Sequence, residues 1–112
     1  MNEAIDLNRE LIPHPATTFY ARCVGESMKD CGINDGDLLV IDKSIEPAEG
    51  DIVVAFIDGD FTLKRIHIDK SQDCLFLMPE NSDFTPIKVT EENDFMVWGV
   101  VTYNIKKQSC HL

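Results

Sequence analysis

Two side chains in this sequence have the chemistry of a nucleophile and its base. Ser27 lies in "GESMKDCGINDGDLLVID", Gly25 to Asp42, between Glu26 and Met28 and just before two turn-forming pairs, Cys31-Gly32 and Asp35-Gly36. A serine hydroxyl attacks a carbonyl carbon only if a neighbour takes its proton. The three histidines are poorly placed to do so: His14 sits in a proline-rich arm, His67 in mid-strand and His111 at the chain's end. A Ser-His-Asp set built on His67 is conceivable, since triads are defined by geometry rather than order, but it has no motif behind it. His67 reads instead as a strand residue with a polar tip.

Lysine offers a different base. In "DFTLKRIHI", strand alternation places Thr62, Lys64, Ile66 and Ile68 on one face. An ammonium among apolar groups loses hydration, which lowers its pKa and favours the neutral amine. A neutral amine can accept the serine proton, giving the Ser-Lys variant of nucleophilic catalysis. The competing reading is a lysine that lays its stem on apolar surface and keeps its head in water.

The elements that must carry these residues are strands. Short runs rich in Val, Ile, Phe and Tyr, punctuated by turns, predict strands over 18–24, 37–42, 51–57, 60–68, 73–79 and 95–106. Asp58-Gly59 suits the positive φ angles of a tight hairpin turn. Residues 1–16 read as an arm, held extended around Pro13 and Pro15. Residues 17–107 form the domain and 108–112 a tail. No stretch shows a long helical period.

The last strand, "DFMVWGVVTYNIKK", is apolar on both faces. Simple alternation puts Phe95, Val97, Val101, Tyr103 and Ile105 on one side and Met96, Trp98 and Val100 on the other. A strand of this kind must be covered twice. It is either a central strand of a closed barrel or a surface shared with a second copy of the chain.

At 112 residues the chain makes one domain with one core. Its 20 acidic and 10 basic residues give a net charge of −10, which argues against direct nucleic-acid binding. Cys23, Cys31, Cys74 and Cys110 have no metal-ligand spacing, and neither metal nor cofactor is expected. The start "MNEAIDLNRE" has no signal-peptide pattern and no apolar run is long enough for a bilayer. These features predict a reduced, cytoplasmic protein that does not engage membranes.

Four blocks, "GESMKDCGINDGDLLVID", "GDIVVAFIDGDFTLKRI", "LMPENSDFTPIKV" and "VWGVV", resemble the LexA and UmuD family of Ser-Lys self-cleaving proteins. They keep the family's order, and Ser27 and Lys64 stand 37 residues apart, the family's interval. The arm "IDLNRELIPHPATTFYARCVGESM" is similar to that of the UmuD branch. The resemblance spans about Ile5 to Lys106. It implies a mainly β fold: a small LexA/UmuD-like catalytic domain of coiled β-sheets behind a mobile N-terminal arm.

By position, Ser27 matches the nucleophile and Lys64 the general base, with the backbone N–H of Ser27 and of its neighbour Met28 facing the oxyanion. "PENSDFTPI", Pro79 to Ile87, matches a structural signature, its prolines and Asn81 shaping a loop. Relatives cut themselves at an Ala-Gly or Cys-Gly bond ahead of the serine, whereas the only glycine before Ser27 here is Gly25. Cys31-Gly32 follows the serine too closely to enter its own site. The expected cleavable bond is thus absent from this chain, which reads either as a processed or trimmed form analogous to UmuD′ or as an equivalent short natural chain. The implied role is in the SOS response to DNA damage. There a RecA filament on single-stranded DNA promotes self-cleavage, and the processed homodimer serves a UmuC-like translesion polymerase. The alternative is the dimerising, self-cleaving C-terminal half of a LexA-like repressor.

Overall fold

A computed structural model describes residues 4–109; Cys110 and His111 lie outside the described residues. One antiparallel sheet dominates it. Its strands are β1 (Thr18–Arg22), β2 (Leu38–Asp42), β3 (Ile52–Ile57), β4 (Asp60–Asp69), β5 (Cys74–Met78), β6 (Ile87–Val89) and β7 (Phe95–Ile105), ordered β1-β2-β7-β3-β4-β5-β6. The mainly β expectation holds, and six strands fall where the sequence placed them. The seventh, β6, has only three residues and lies outside the strand runs that the sequence predicts. The β3–β4 turn is built as the Asp-Gly pair requires, with φ of 48° at Asp58 and 95° at Gly59.

The arm is not simply extended. Residues Leu7–Leu11 form a single helical turn, α1, whose first N–H groups are capped by the Asp6 carboxylate. Pro15–Thr17 make a 3₁₀ turn, because proline's fixed φ suits the first position of a helix as well as extended chain. His14 then ties the arm to the sheet. Its Nδ1 lies 2.6 Å from Oδ2 of Asp42, a buried carboxylate that also accepts from Thr17 Oγ1, Ser44 N and Ser44 Oγ.

β7 is a central strand, as its two apolar faces demanded, but the sheet is open-ordered, with β1 and β6 at its ends. Simple alternation along β7 fails at two bulges. Val54 pairs with Gly99 and Ala55 with Val97, leaving Trp98 as an extra residue; Ile41 pairs with Val101 and Val40 with Tyr103, leaving Thr102. Each extra residue exchanges the faces. Phe95, Val97 and Val100 therefore join a cluster with Val53, Ala55, Ile57, Ile66 and Leu77. Trp98 and Val101 join a second with Cys23, Met28, Ile33, Leu39 and Ile41. The expected grouping of Phe95, Val97, Val101 and Ile105 on one face is thus incorrect. Two cores rather than one cover this strand from within a single chain.

Candidate active site

The site forms where β4 outruns its neighbour. β5 pairs with β4 only from Arg65 to Asp69, so residues 60–64 present an open edge. Into that edge comes the turn bearing Ser27. Gly25, at φ 89°, reverses the chain just before it, and the Gly25 N–H is held by Asp35 Oδ1 at 2.8 Å. Met28, 1% exposed, anchors the turn in the second core just after it. A 3₁₀ turn at Lys29–Cys31 follows, closed by Gly32 at φ 87°.

Ser27 and Lys64 line the same cleft of about 230 Å³, together with Val24, Glu26, Phe61, Thr62, Leu63 and Phe84. The two side chains converge on the Leu63 carbonyl. Ser27 Oγ donates to it over 3.4 Å and Lys64 Nζ over 3.2 Å, while Nζ also donates to Thr62 Oγ1 at 2.6 Å. The strand-plus-turn arrangement suits the expected pair, although the two groups meet at a shared acceptor rather than through a bond to each other.

Lys64 is 7% exposed, and its nitrogen lies 6.0 Å from the centre of the Phe84 ring. Little of its surface therefore reaches water. Burial pushes its pKa below the ordinary value of 10.5. Of the two isoleucines expected beside it, Ile66 is buried, but Ile68 is 41% exposed, beyond the reach of the core.

A neutral lysine amine has two hydrogens and one lone pair. Thr62 Oγ1 and Leu63 O both accept from Nζ, so an amine that is neutral in this setting would keep its lone pair free. The N–H groups of Ser27 and Met28 have no hydrogen-bond partner among the described residues. Unpaired N–H groups of this kind can stabilise an oxyanion.

His67 takes no part. Its Nδ1 lies 3.2 Å from Glu49, and its ring packs beside Phe76.

Several contributors escaped sequence reasoning. Thr62 was placed on the Lys64 face, yet its role as acceptor needs a distance that alternation does not provide. Phe84 and Asn81 arrive from a loop distant in sequence. Beside the cleft, sharing Val24, Phe61 and Leu63 with it, runs an apolar groove of about 480 Å³ floored by Ala21, Leu39, Ile41, Val54 and Trp98. No local pattern announces it, because its walls come from β1, β2, β3, β4 and β7.

The family model described as Peptidase S24-like matches residues 1–102. Protein SamA of Salmonella typhimurium is 43% identical over 105 residues, covering 94% of this chain and 71% of that protein. Protein MucA of Salmonella typhimurium is 38% identical over 104 residues, covering 92% and 69%. The LexA repressor of Colwellia psychrerythraea is 43% identical over 88 residues, which is 78% of this chain and 41% of the repressor. The family model spans most of the chain, and the SamA and MucA relatives align along nearly all of it. The chain belongs to the Peptidase S24-like family of self-cleaving serine peptidases, as a UmuD-like, SOS-mutagenesis relative of the LexA repressors.

Proposed function

We propose that Ser27 is the nucleophile and Lys64 the general base of a peptidase that acts on its own N-terminal segment. The carrying observation is the shared cleft, in which a buried amine with no carboxylate partner lies across one carbonyl from a serine hydroxyl. Ser27 Oγ passes its proton to Nζ as it attacks the scissile carbonyl carbon. The carbonyl oxygen becomes the oxyanion and is met by the N–H groups of Ser27 and Met28. The protonated Lys64 then gives its proton to the departing amine, leaving an acyl-enzyme that water hydrolyses. The adjoining apolar groove suits an extended, uncharged peptide segment.

Residues 1–26 contain neither Ala-Gly nor Cys-Gly. The chain acts as the cytoplasmic, homodimeric accessory subunit of a UmuC-like translesion polymerase. Its uncleaved counterpart is triggered by a RecA filament on single-stranded DNA. The SamA match covers 94% of the chain and the LexA match 78%, which favours this reading over that of a repressor's C-terminal half.

A fluorophosphonate probe tests the pair directly, since it modifies only an activated serine. Stoichiometric labelling is expected, rising with pH and absent from Ser27→Ala and Lys64→Ala. Labelling that persists in Ser27→Ala, or is undiminished in Lys64→Ala, defeats the assignment.

A further inference from the structure

The loop after β5 touches the Ser27 turn at three backbone positions. Asn81 Nδ2 donates to Glu26 O at 2.8 Å, Glu80 N donates to Ser27 O at 2.8 Å, and Asp30 N donates to Glu80 O at 2.8 Å. Asn81 is 6% exposed, and its other amide atom is also committed, with Oδ1 accepting from Asp83 N at 2.9 Å. Behind this loop, Arg65 Nε meets Glu80 Oε1 at 2.6 Å while Arg65 Nη1 donates to Gly50 O at 2.6 Å. Arg65 is the residue after Lys64, so the strand carrying the base also holds the loop that touches the nucleophile.

The carbonyls that this loop grips are informative. In a planar trans peptide the C=O of one residue and the N–H of the next point in opposite directions. Glu26 O shares its peptide plane with Ser27 N–H, and Ser27 O shares its plane with Met28 N–H. A donor on each carbonyl therefore fixes the direction of the N–H on the far side of that plane. Both N–H groups are without a partner among the described residues, and Ser27 lines the cleft. Glu26 O has one further donor, Lys29 N at 3.2 Å, which belongs to the turn itself and moves with it. Asn81 supplies the fixed external reference.

We propose that Asn81 is a positioning residue that aims the Ser27 N–H into the cleft, with the Arg65–Glu80 ion pair steadying the Glu80 backbone that grips Ser27 O. The inference rests on Ser27 being the nucleophile. It gives Asn81 a task beyond shaping its own loop, and the two tasks use different atoms. Oδ1 holds the loop through Asp83, and Nδ2 holds the turn through Glu26.

Asn81→Asp separates them. It retains an oxygen for Asp83 N–H and removes the donor to Glu26 O. Fluorophosphonate labelling is measured across pH for the wild type and Asn81→Asp, with the emission of the single tryptophan, Trp98, as the check on the fold. The expected result is a plateau rate lower by on the order of tenfold to a hundredfold, with the pH midpoint unmoved. Arg65→Gln, a change at an ion pair whose side chains are each 33% exposed, is expected to lower the plateau on the order of fivefold. If Asn81→Asp fails to keep the wild-type emission, Arg65→Gln decides alone. A wild-type plateau in whichever variant is folded overturns the proposal. So does a rate loss that comes wholly from a shifted midpoint, because Asn81 would then act on the protonation of Lys64. A wild-type protein that takes no label sinks the nucleophile assignment itself, and the clamp with it.

Discussion

Ser27 and Lys64 are joined through a third group, the carbonyl of Leu63, which accepts from both side chains at the open edge of β4. The carbonyl is available because β5 begins pairing only at Arg65. One strand thus supplies the base from its side chain and the reference point for the nucleophile from its backbone. The relative height of the two groups is set by strand geometry, which is stiffer than any loop.

The amine's burial fixes the sign of two pH effects. Lys64 must be neutral to take the serine proton, and its pKa lies below 10.5. Reactivity of Ser27 should therefore climb with pH and level off before an ordinary lysine would titrate. Stability should move the same way. The unfolded chain holds this proton up to about 10.5, whereas the folded amine releases it earlier, so between those values the unfolded state binds more protons. Stability gains with rising pH across that window, and below it the cost of burying the charge is present in full. Lys64→Met should consequently unfold at higher urea than the wild type at pH 7, with the gap closing by about pH 11. A less stable Lys64→Met at pH 7 would contradict the burial argument.

Asp42 carries the opposite dependence. Burial alone would raise its pKa, but hydrogen bonds from His14, Ser44 and Thr17 outweigh that and hold the carboxyl well below the usual carboxylate range. Its contribution to stability is therefore whole above the unfolded value of 3.8 and drains away as the pH falls toward the folded pKa. Asp42→Asn should cost about 1–3 kcal/mol at pH 7. It should also flatten the acid limb of the stability curve between pH 5 and pH 2, as urea titrations at each pH would record. An unchanged acid limb would show that the cluster around His14 does not couple to folding.

Gly99 is required by space rather than by backbone angle. A Cβ built there would stand 2.5 Å from Cγ2 of Ile41, a side chain with no exposed surface, and 3.4 Å from Asp42 O. β7 can approach β2 that closely only with a glycine beside the Trp98 bulge. Gly99→Ala should destabilise the fold by about 1–3 kcal/mol through overpacking. Gly99→Ala with added Ile41→Val should recover part of the loss, because Val lacks the outer methyl of Ile41's longer arm while Cγ2 gains room to shift. A double-mutant cycle in urea measures that coupling.

How much of this was legible in the sequence depends on the range of the interaction. The Asp58-Gly59 turn, the strand runs and the shared face of Thr62 and Lys64 are local, and local chemistry dictates them. The β7 faces were misread because a bulge inserts one residue opposite a partner strand, and nothing within β7 marks Trp98 or Thr102 as the extra one. α1, with five residues, is too short to show a period, and its capping by Asp6 is the only local sign of it. Asn81 sits 55 residues from the carbonyl it holds, so its partner is set by the packing of the loop after β5.

The corrected faces of β7 change which residues should join two copies of the chain. Val101 packs into the second core with Ile41 and Met28, so a charge there would break the fold rather than an interface. Beyond the Thr102 bulge the strand turns Tyr103 and Ile105 to the other face, paired across β2 through Val40 and Leu38. Tyr20 of β1 lies opposite Val40 from the other side. Tyr20, Tyr103 and Ile105 are 54%, 39% and 40% exposed, an apolar strip at one end of the sheet that a single chain leaves uncovered. The homodimer inferred above should bury this strip, and two-fold symmetry would place each introduced charge there twice. Ile105→Asp should therefore sediment as a folded monomer at micromolar concentration where the wild type is a dimer. Val101→Asp should instead lose its cooperative urea transition. A dimer that survives in Ile105→Asp and Tyr103→Asp alike would place the interface elsewhere on the molecule.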